Sequence, residues 1–336
     1  MKYPTLLLLL IILSWVLQAQ HIEILTKGIA TSIRGLSVVD DQVVWISGSN
    51  GTVGKSLDGG VSWKWMVVKD FEKRDFRDIE AFNKDTAIIM AIAEPANILK
   101  TTDGGNTWTI VYENRSAGMF LDAMEFFNNK SGIVIGDPVN GKFFIAKTTD
   151  QGETWKEMAP DIPATDSGEA CFASSGTNIR KLYNEEFCFI SGGSKSHYIT
   201  SGSSVKLPII QGKASTGANS IAVWTPVKKI HQYMVVVGGD YTKDTIKTNN
   251  CFISKDAGKT WLAPVISPNG YRSCVEFINR KQLITCGTSG VDISKNSGMN
   301  WELISNESFH VCRKAKKGSA VFLAGSNGKI GKLNNY

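Results

Sequence analysis

A short stretch that returns along the chain limits its fold more than any other feature. Lys55-Ser56-Leu57-Asp58-Gly59-Gly60-Val61-Ser62-Trp63 comes back as Lys100-Thr101-Thr102-Asp103-Gly104-Gly105-Asn106-Thr107-Trp108 and as Lys147-Thr148-Thr149-Asp150-Gln151-Gly152-Glu153-Thr154-Trp155. Ser254-Lys255-Asp256-Ala257-Gly258-Lys259-Thr260-Trp261 follows, and a weaker copy over residues 294–301 has Asn296 in place of Asp and ends on Trp301. Each copy reads as the tip of a β-hairpin. Asp accepts hydrogen bonds from N–H groups just ahead of it, Gly supplies a positive φ, and Ser or Thr braces the turn. Trp then begins the returning strand and offers an apolar plate to the neighbouring repeat, with roughly 2–3 kcal/mol available from its burial. One Asp per copy falls well short of the roughly six to eight oxygens that calcium takes. Asp58, Asp103, Asp150 and Asp256 are therefore read as structural, as are Trp63, Trp108, Trp155, Trp261 and Trp301.

The spacing of these Trp residues gives the architecture. Trp63 and Trp108 are 45 residues apart, Trp108 and Trp155 are 47 apart, and Trp261 and Trp301 are 40 apart, the length of a four-stranded propeller blade. Trp155 and Trp261 are separated by 106 residues, so a blade without the repeated turn lies between them. The fold class expected is all-β: a seven-bladed β-propeller of four-stranded antiparallel blades, or six blades if the irregular stretch is an insertion. Residues 21–30 read as a lone strand that closes the ring by completing the last blade. In the irregular fourth blade, residues 169–173 and 187–190 are expected as inner strands, with the Ser/Gly-rich stretch 191–204 in place of the repeated hairpin.

Lys2 precedes an apolar run at 6–17, and Ala19 offers a small-residue cleavage position, so residues 1–19 read as a signal peptide. A single-span anchor is the competing reading, but the run falls short of the about 20 apolar residues a spanning helix needs. The expectation is one propeller domain over 20–336, exported to the periplasm or secreted, without stable membrane insertion after cleavage. A net charge of +6 is a mild excess without a dense basic run, which argues against a nucleic-acid partner. Six Cys, at 171, 188, 251, 274, 286 and 312, and four scattered His show no metal-ligand or C-x-x-C spacing. No metal and no cofactor are expected. Cys274 and Cys286 face each other across a hairpin, as a disulfide or as two buried thiols.

A propeller puts the repeated turns on one face and the starts of the inner strands, with the loops after the second strands, on the other. At inner-strand starts stand Arg34, Arg77 and Arg272, expected to rim one mouth of the channel. Glu94, Asp137 and Asp240 follow second strands, and Asp122 and Glu169 sit near inner-strand starts. Phe76, Tyr241 and Tyr271 accompany them. Guanidinium forks suit carboxylates or phosphates of a ligand or partner chain. The arginines and acids otherwise pair with one another and plug the mouth.

Boxes of the form S/T-x-D-x-G-x-T-W are Asp-boxes, and the pattern covers nearly all of the mature chain. With Arg34-Gly35-Leu36, Phe76-Arg77-Asp78-Ile79 and Ser167-Gly168-Glu169-Ala170-Cys171-Phe172, it resembles bacterial proteins similar to the photosystem II stability and assembly factor. That resemblance implies an exported, non-enzymatic propeller that holds a protein or peptide client, with an arginine patch as a contact. A more distant resemblance is to the sialidases, six-bladed Asp-box propellers that set three arginines on a substrate carboxylate. It implies glycoside hydrolysis, with Glu94, Asp137 or Glu169 as candidate acids, or glycan binding without turnover. The chain departs from the F/Y-R-I-P motif that opens such sites, since Asp78 follows Arg77 and Ser273 follows Arg272.

Overall fold

The computed structural model describes residues 20–159, 161–224 and 232–336, and the leader read at 1–19 lies outside them. Seven β-sheets form the seven blades of a propeller. Blade one consists of Ile33–Val38, Val44–Gly48, Thr52–Ser56 and Lys64–Val67, each strand antiparallel to the next. Blade two runs from Phe76–Ala81 to Thr109–Asn114, and blade three from Leu121–Phe126 to Lys156–Glu157. Blade six runs from Cys274–Phe277 to Glu302–Ser305. Blade seven takes Val311–Lys314, Val321–Ala324 and Ile330–Asn334, then receives His21–Thr26 as its outer strand. The N-terminal strand thus closes the ring.

The fourth blade corrects the sequence reading. Its inner strand is Ile179–Lys181, followed by Phe187–Ile190, His197–Thr200 and Ser203–Lys206. Glu169–Ala170 instead pairs with Gly192–Gly193, which pairs in turn with the inner strand of blade five, Thr216–Trp224. Blade five continues through Tyr233–Asp240 and Cys251–Ser254, with its fourth strand reduced to a bridge between Ile253 and Leu262. Residues 171–173, expected to continue an inner strand, instead lead with 174–176 into the channel.

The repeated turns form as their chemistry dictates. In blade two, Thr101 Oγ1 donates to Asp103 at 2.8 Å and accepts the Gly105 N–H at 3.0 Å, while Asp103 accepts from Thr107 N at 3.0 Å and Thr107 Oγ1 at 2.6 Å. Asn296 does the same work in blade six, accepting from Asn300 N at 2.8 Å. The second glycine has a φ of +93° at Gly60 and +87° at Gly105, which an L side chain adopts only under strain. A Cβ there would also meet the preceding blade, at 2.9 Å from a Phe322 ring atom for Gly60 and at 3.1–3.3 Å from Met66 and Trp45 for Gly105. The core accordingly lies between blades. Trp108 meets Trp45 edge-on at 6.5 Å, Trp261 packs on Tyr198 at 5.6 Å, and Trp301 is buried among residues of blades five and six.

The lysine that opens the motif adds a latch. Lys55 Nζ crosses to the carbonyls of Lys84 and Gly104 at 3.0 and 2.9 Å, and Lys100 Nζ reaches Gln151 O at 2.9 Å and Glu153 at 2.7 Å. The first two repeats therefore each cap the turn of the next. Cys274 and Cys286 stand opposite each other, as the sequence places them, and both are buried free thiols.

Candidate functional site

The first residues of the inner strands converge on the mouth opposite the repeated turns. Strand pairing breaks register there in the same way four times: Ile33 and Gly35 are paired but Arg34 is not, and Arg77, Asp122 and Asn219 are skipped likewise. These are β-bulges, which free one residue from the ladder and re-aim its side chain. The pairings Asp78 with Met90 and Cys274 with Cys286 align Arg77 with Ser273, and the same count reaches His310 in blade seven. Arg34, Arg77, Asn219, Ser273 and His310, from five blades, line a single cavity of about 340 Å³ with Phe172, Ser174, Tyr241 and Tyr271.

Two guanidiniums face this cavity with little to neutralise them. Arg34 donates to Ser174 O at 3.3 Å. Burial, and then the charge of Arg77, pushes it below its ordinary pKa. Arg77 has Asp75 at 3.4 Å, and its buried Nε has no hydrogen-bond partner among the described residues. Tyr271 donates its hydroxyl to Asn219 at 2.8 Å, and half-exposed Tyr241 stands edge-on between Phe172 and Tyr271. Phe76, expected beside them, is buried in the core between blades one and two.

Arg272 is placed elsewhere. It stands one residue before the axial position, so strand alternation turns it to the other side. There Nε donates to Asp292 Oδ2 at 2.7 Å, Nη2 donates to the same oxygen, and Nη1 reaches Tyr271 O at 2.8 Å and Ser289 at 2.7 Å. Both charged side chains are fully buried. Arg272 does not rim the mouth.

The acids named from the sequence are mostly held by local donors. Exposed Glu94 accepts the Gly118 N–H at 2.5 Å, Asp137 accepts that of Cys171 at 2.8 Å, and Asp240 accepts from the Thr242 N–H at 3.0 Å and hydroxyl at 2.7 Å. Glu169 is bound by Ser191, by His197 Nδ1 at 2.9 Å and by the Asp166 N–H at 3.0 Å. Among the described residues, Asp166, Glu169 and His197 form the one group with ligand atoms close enough for a metal ion, and their mutual hydrogen bonds account for that closeness.

Asp122 differs. It is fully buried, and neither oxygen has a hydrogen bond of normal geometry, the Ala173 N–H reaching it only weakly. Burial, with Asp137 nearby, holds its carboxyl well above the usual range. It occupies the bulge position of blade three but lies beneath the segment that enters the channel. That segment is the plug: Ser175 Oγ reaches Ser273 O at 2.7 Å, and Arg313 donates to Gly176 O at 2.9 Å. Gly176 lies so near the Asp78 carboxylate that a Cβ would stand 2.3 Å from it. The mouth is thus stoppered by backbone rather than by an Arg–acid ring. Deeper still, Glu125, Arg180, Glu276 and Arg313 link across the axis, with Arg180 at 3.3 Å and Arg313 at 3.6 Å from Glu276. Sequence reasoning missed Asn219, Ser273 and His310, because their equivalence to Arg77 is a matter of pairing register.

No family model and no curated protein matches this chain. Solved structures do. YCF48 bound to D1 peptide is 17% identical, with a TM-score of 0.63 over 93% of this chain and 94% of that one. YCF48 from Cyanidioschyzon merolae is 16% identical, with a TM-score of 0.63 over 93% and 98%, and U3-55K is 11% identical, with 0.64 over 93% and 98%. At such identities what is shared is the fold, and the chain is a seven-bladed β-propeller similar in architecture to YCF48.

Proposed function

We propose that the protein is an exported, non-enzymatic scaffold that holds an anionic segment of a protein or peptide client in the cavity between Arg34 and Arg77. The observation that carries this reading is the pair of arginines in one open cavity, one of them with a buried Nε left over. Charge-assisted hydrogen bonds to a carboxylate would satisfy both. The aromatic rim of Phe172, Tyr241 and Tyr271 offers flat apolar surface beside them, which suits a side chain next to the charge. A structural neighbour, YCF48, has been seen with a D1 peptide, which supports a peptide as the kind of ligand. Binding is favoured over glycoside hydrolysis because Arg272 is committed to Asp292, which leaves two arginines, and because the Tyr271 hydroxyl is paired with Asn219 rather than with a Glu.

The test is capture from an exported-protein extract by the mature chain, run beside Arg34→Ala and Arg77→Ala. Each substitution removes charge-assisted bonds worth about 1.5–3 kcal/mol, so captured client should fall about tenfold or more for either variant. Equal capture by all three folded proteins overturns the assignment of the cavity.

A further inference from the structure

Among the described residues, His310 is the one titratable group of the cavity wall that ordinarily changes charge near neutral pH, and its surroundings have a one-sided charge. The ring occupies the axial position of blade seven, equivalent to that of Arg77 in blade two. Nδ1 lies 3.0 Å from Ile33 O and 3.5 Å from Ser32 Oγ, and Nε2 lies 3.3 Å from Ser326 Oγ. A carbonyl accepts only, so Nδ1 carries the hydrogen, and Nε2 takes the hydroxyl proton of Ser326. This is a satisfied neutral imidazole.

The charged groups that face it are Arg34 from blade one, Arg77 from blade two and Lys329 from the last hairpin of blade seven. Tyr271, on the same cavity, is pushed up by burial and stays neutral. Asp75 pairs with Arg77 at 3.4 Å and Glu307 with Lys329 at 2.6 Å. Burial, then Arg34, pushes His310 down to about 4. An anion between the arginines would reverse the local field at the imidazole.

We propose that the cavity takes up its anionic ligand together with a proton, and that His310 is the group that receives it. The inference rests on the reading of the cavity as an anion site and adds to it a sign: affinity rises as pH falls. Protonation turns Nε2 from an acceptor into a donor, and the Ser326 hydroxyl can rotate to accept. Nearby opposite charge raises a pKa by about one to three units. A rise of about two units makes the anion bind about tenfold more tightly at about pH 5 than at about pH 7.5.

The probe is sulfate, which holds a constant charge over about pH 5–8, so the ligand itself does not titrate. Imidazole signals of histidine-labelled mature protein are followed against pH with and without sulfate, while Arg34 and Arg77 Nε–H signals report occupancy. His310→Gln keeps a hydrogen-bonding side chain, assigns the signal among the four histidines, and removes the proton acceptor. The expected result is a rise of the His310 midpoint by more than about one unit on saturation, and sulfate affinity in His310→Gln that is nearly flat with pH. Asp122 and Asp137 remain in that variant, so pH dependence carried by them would persist. Sulfate that shifts both arginines while leaving the His310 midpoint in place overturns the inference and spares the cavity reading. Arginine signals that do not respond to sulfate overturn both.

Discussion

The two faces of this propeller are built from the same strands and treat their polar groups in opposite ways. On the turn face, Asp58 and Asp103 are ringed by hydroxyls and N–H groups of their own turns, and Lys55 and Lys100 finish the turn of the next blade. On the mouth face the equivalent positions of six blades run Arg34, Arg77, Asp122, Asn219, Ser273 and His310, and the two arginines at the cavity are only partly satisfied. Repetition marks what the fold uses from blade to blade. Divergence at equivalent positions marks what the ring holds out to something else.

The sharpest break in that comparison is between arginines that look alike in sequence. Arg77 follows Phe76 and Arg272 follows Tyr271, yet one faces a cavity and the other is sealed against Asp292. Arg272→Ala leaves Asp292 as a buried unpaired charge, so stability should fall by about 3–5 kcal/mol. Arg34→Ala and Arg77→Ala should change it by no more than about 1 kcal/mol, because Arg34 reaches only the Ser174 carbonyl and the Arg77–Asp75 pair is partly exposed. Urea unfolding of the three variants decides this. Similar losses in all three would mean that the mouth arginines are structural too.

A smaller effect separates the turns from the mouth. Thr101 is buried, and its hydroxyl alone accepts the Gly105 N–H in the middle of the turn. Thr101→Val keeps the shape and strands that donor, at a cost of about 1–3 kcal/mol. The loss should appear in thermal or urea unfolding while client capture per folded molecule stays unchanged. A capture defect would show that the two faces are coupled.

The sequence carries the turn face almost completely, since an Asp, a Gly and a Trp at fixed offsets are local chemistry. It placed the missing turn of blade four correctly because the gap from Trp155 to Trp261 requires it, and the ring closure because residues 21–30 read as a strand without a neighbour. It did not carry the inner strand of that blade. Cys171 and Ala173 alternate like strand residues, but Ser174, Ser175 and Gly176 find their partners on blades one, two, six and seven, which no local pattern records. The mouth was half legible for the same reason. Arg34 and Arg77 stand at strand starts, whereas assigning Ser273 rather than Arg272 to the axis requires the register with Cys286.

Acidity sets the two faces against each other most finely. Hydrogen bonds from the Ser62 hydroxyl and N–H hold Asp58 down to about 2, and those from Thr107 hold Asp103 well below the carboxylate range. Groups depressed in the fold lend stability above about pH 4 that is lost as pH falls toward 2. Asp78, buried beneath the plug, is pushed up to about 7 by burial, although it accepts the Ile79 and Met124 N–H groups at 2.8 Å. For a raised carboxyl the sign reverses: it stays neutral in the fold after the unfolded chain has ionised, so stability is lost as pH rises from about 4 to about 7. Unfolding free energy should therefore peak on the acid side of neutrality. Asp78→Asn should remove about one proton's worth of the decline between about pH 4 and 7 and leave the acid limb untouched. Its effect at any single pH is the smallest of the three, because the variant gives up one acceptor as it gives up the buried charge. An unchanged slope in Asp78→Asn would assign the decline to the other carboxyls that burial raises, Asp122, Asp137 and Glu276.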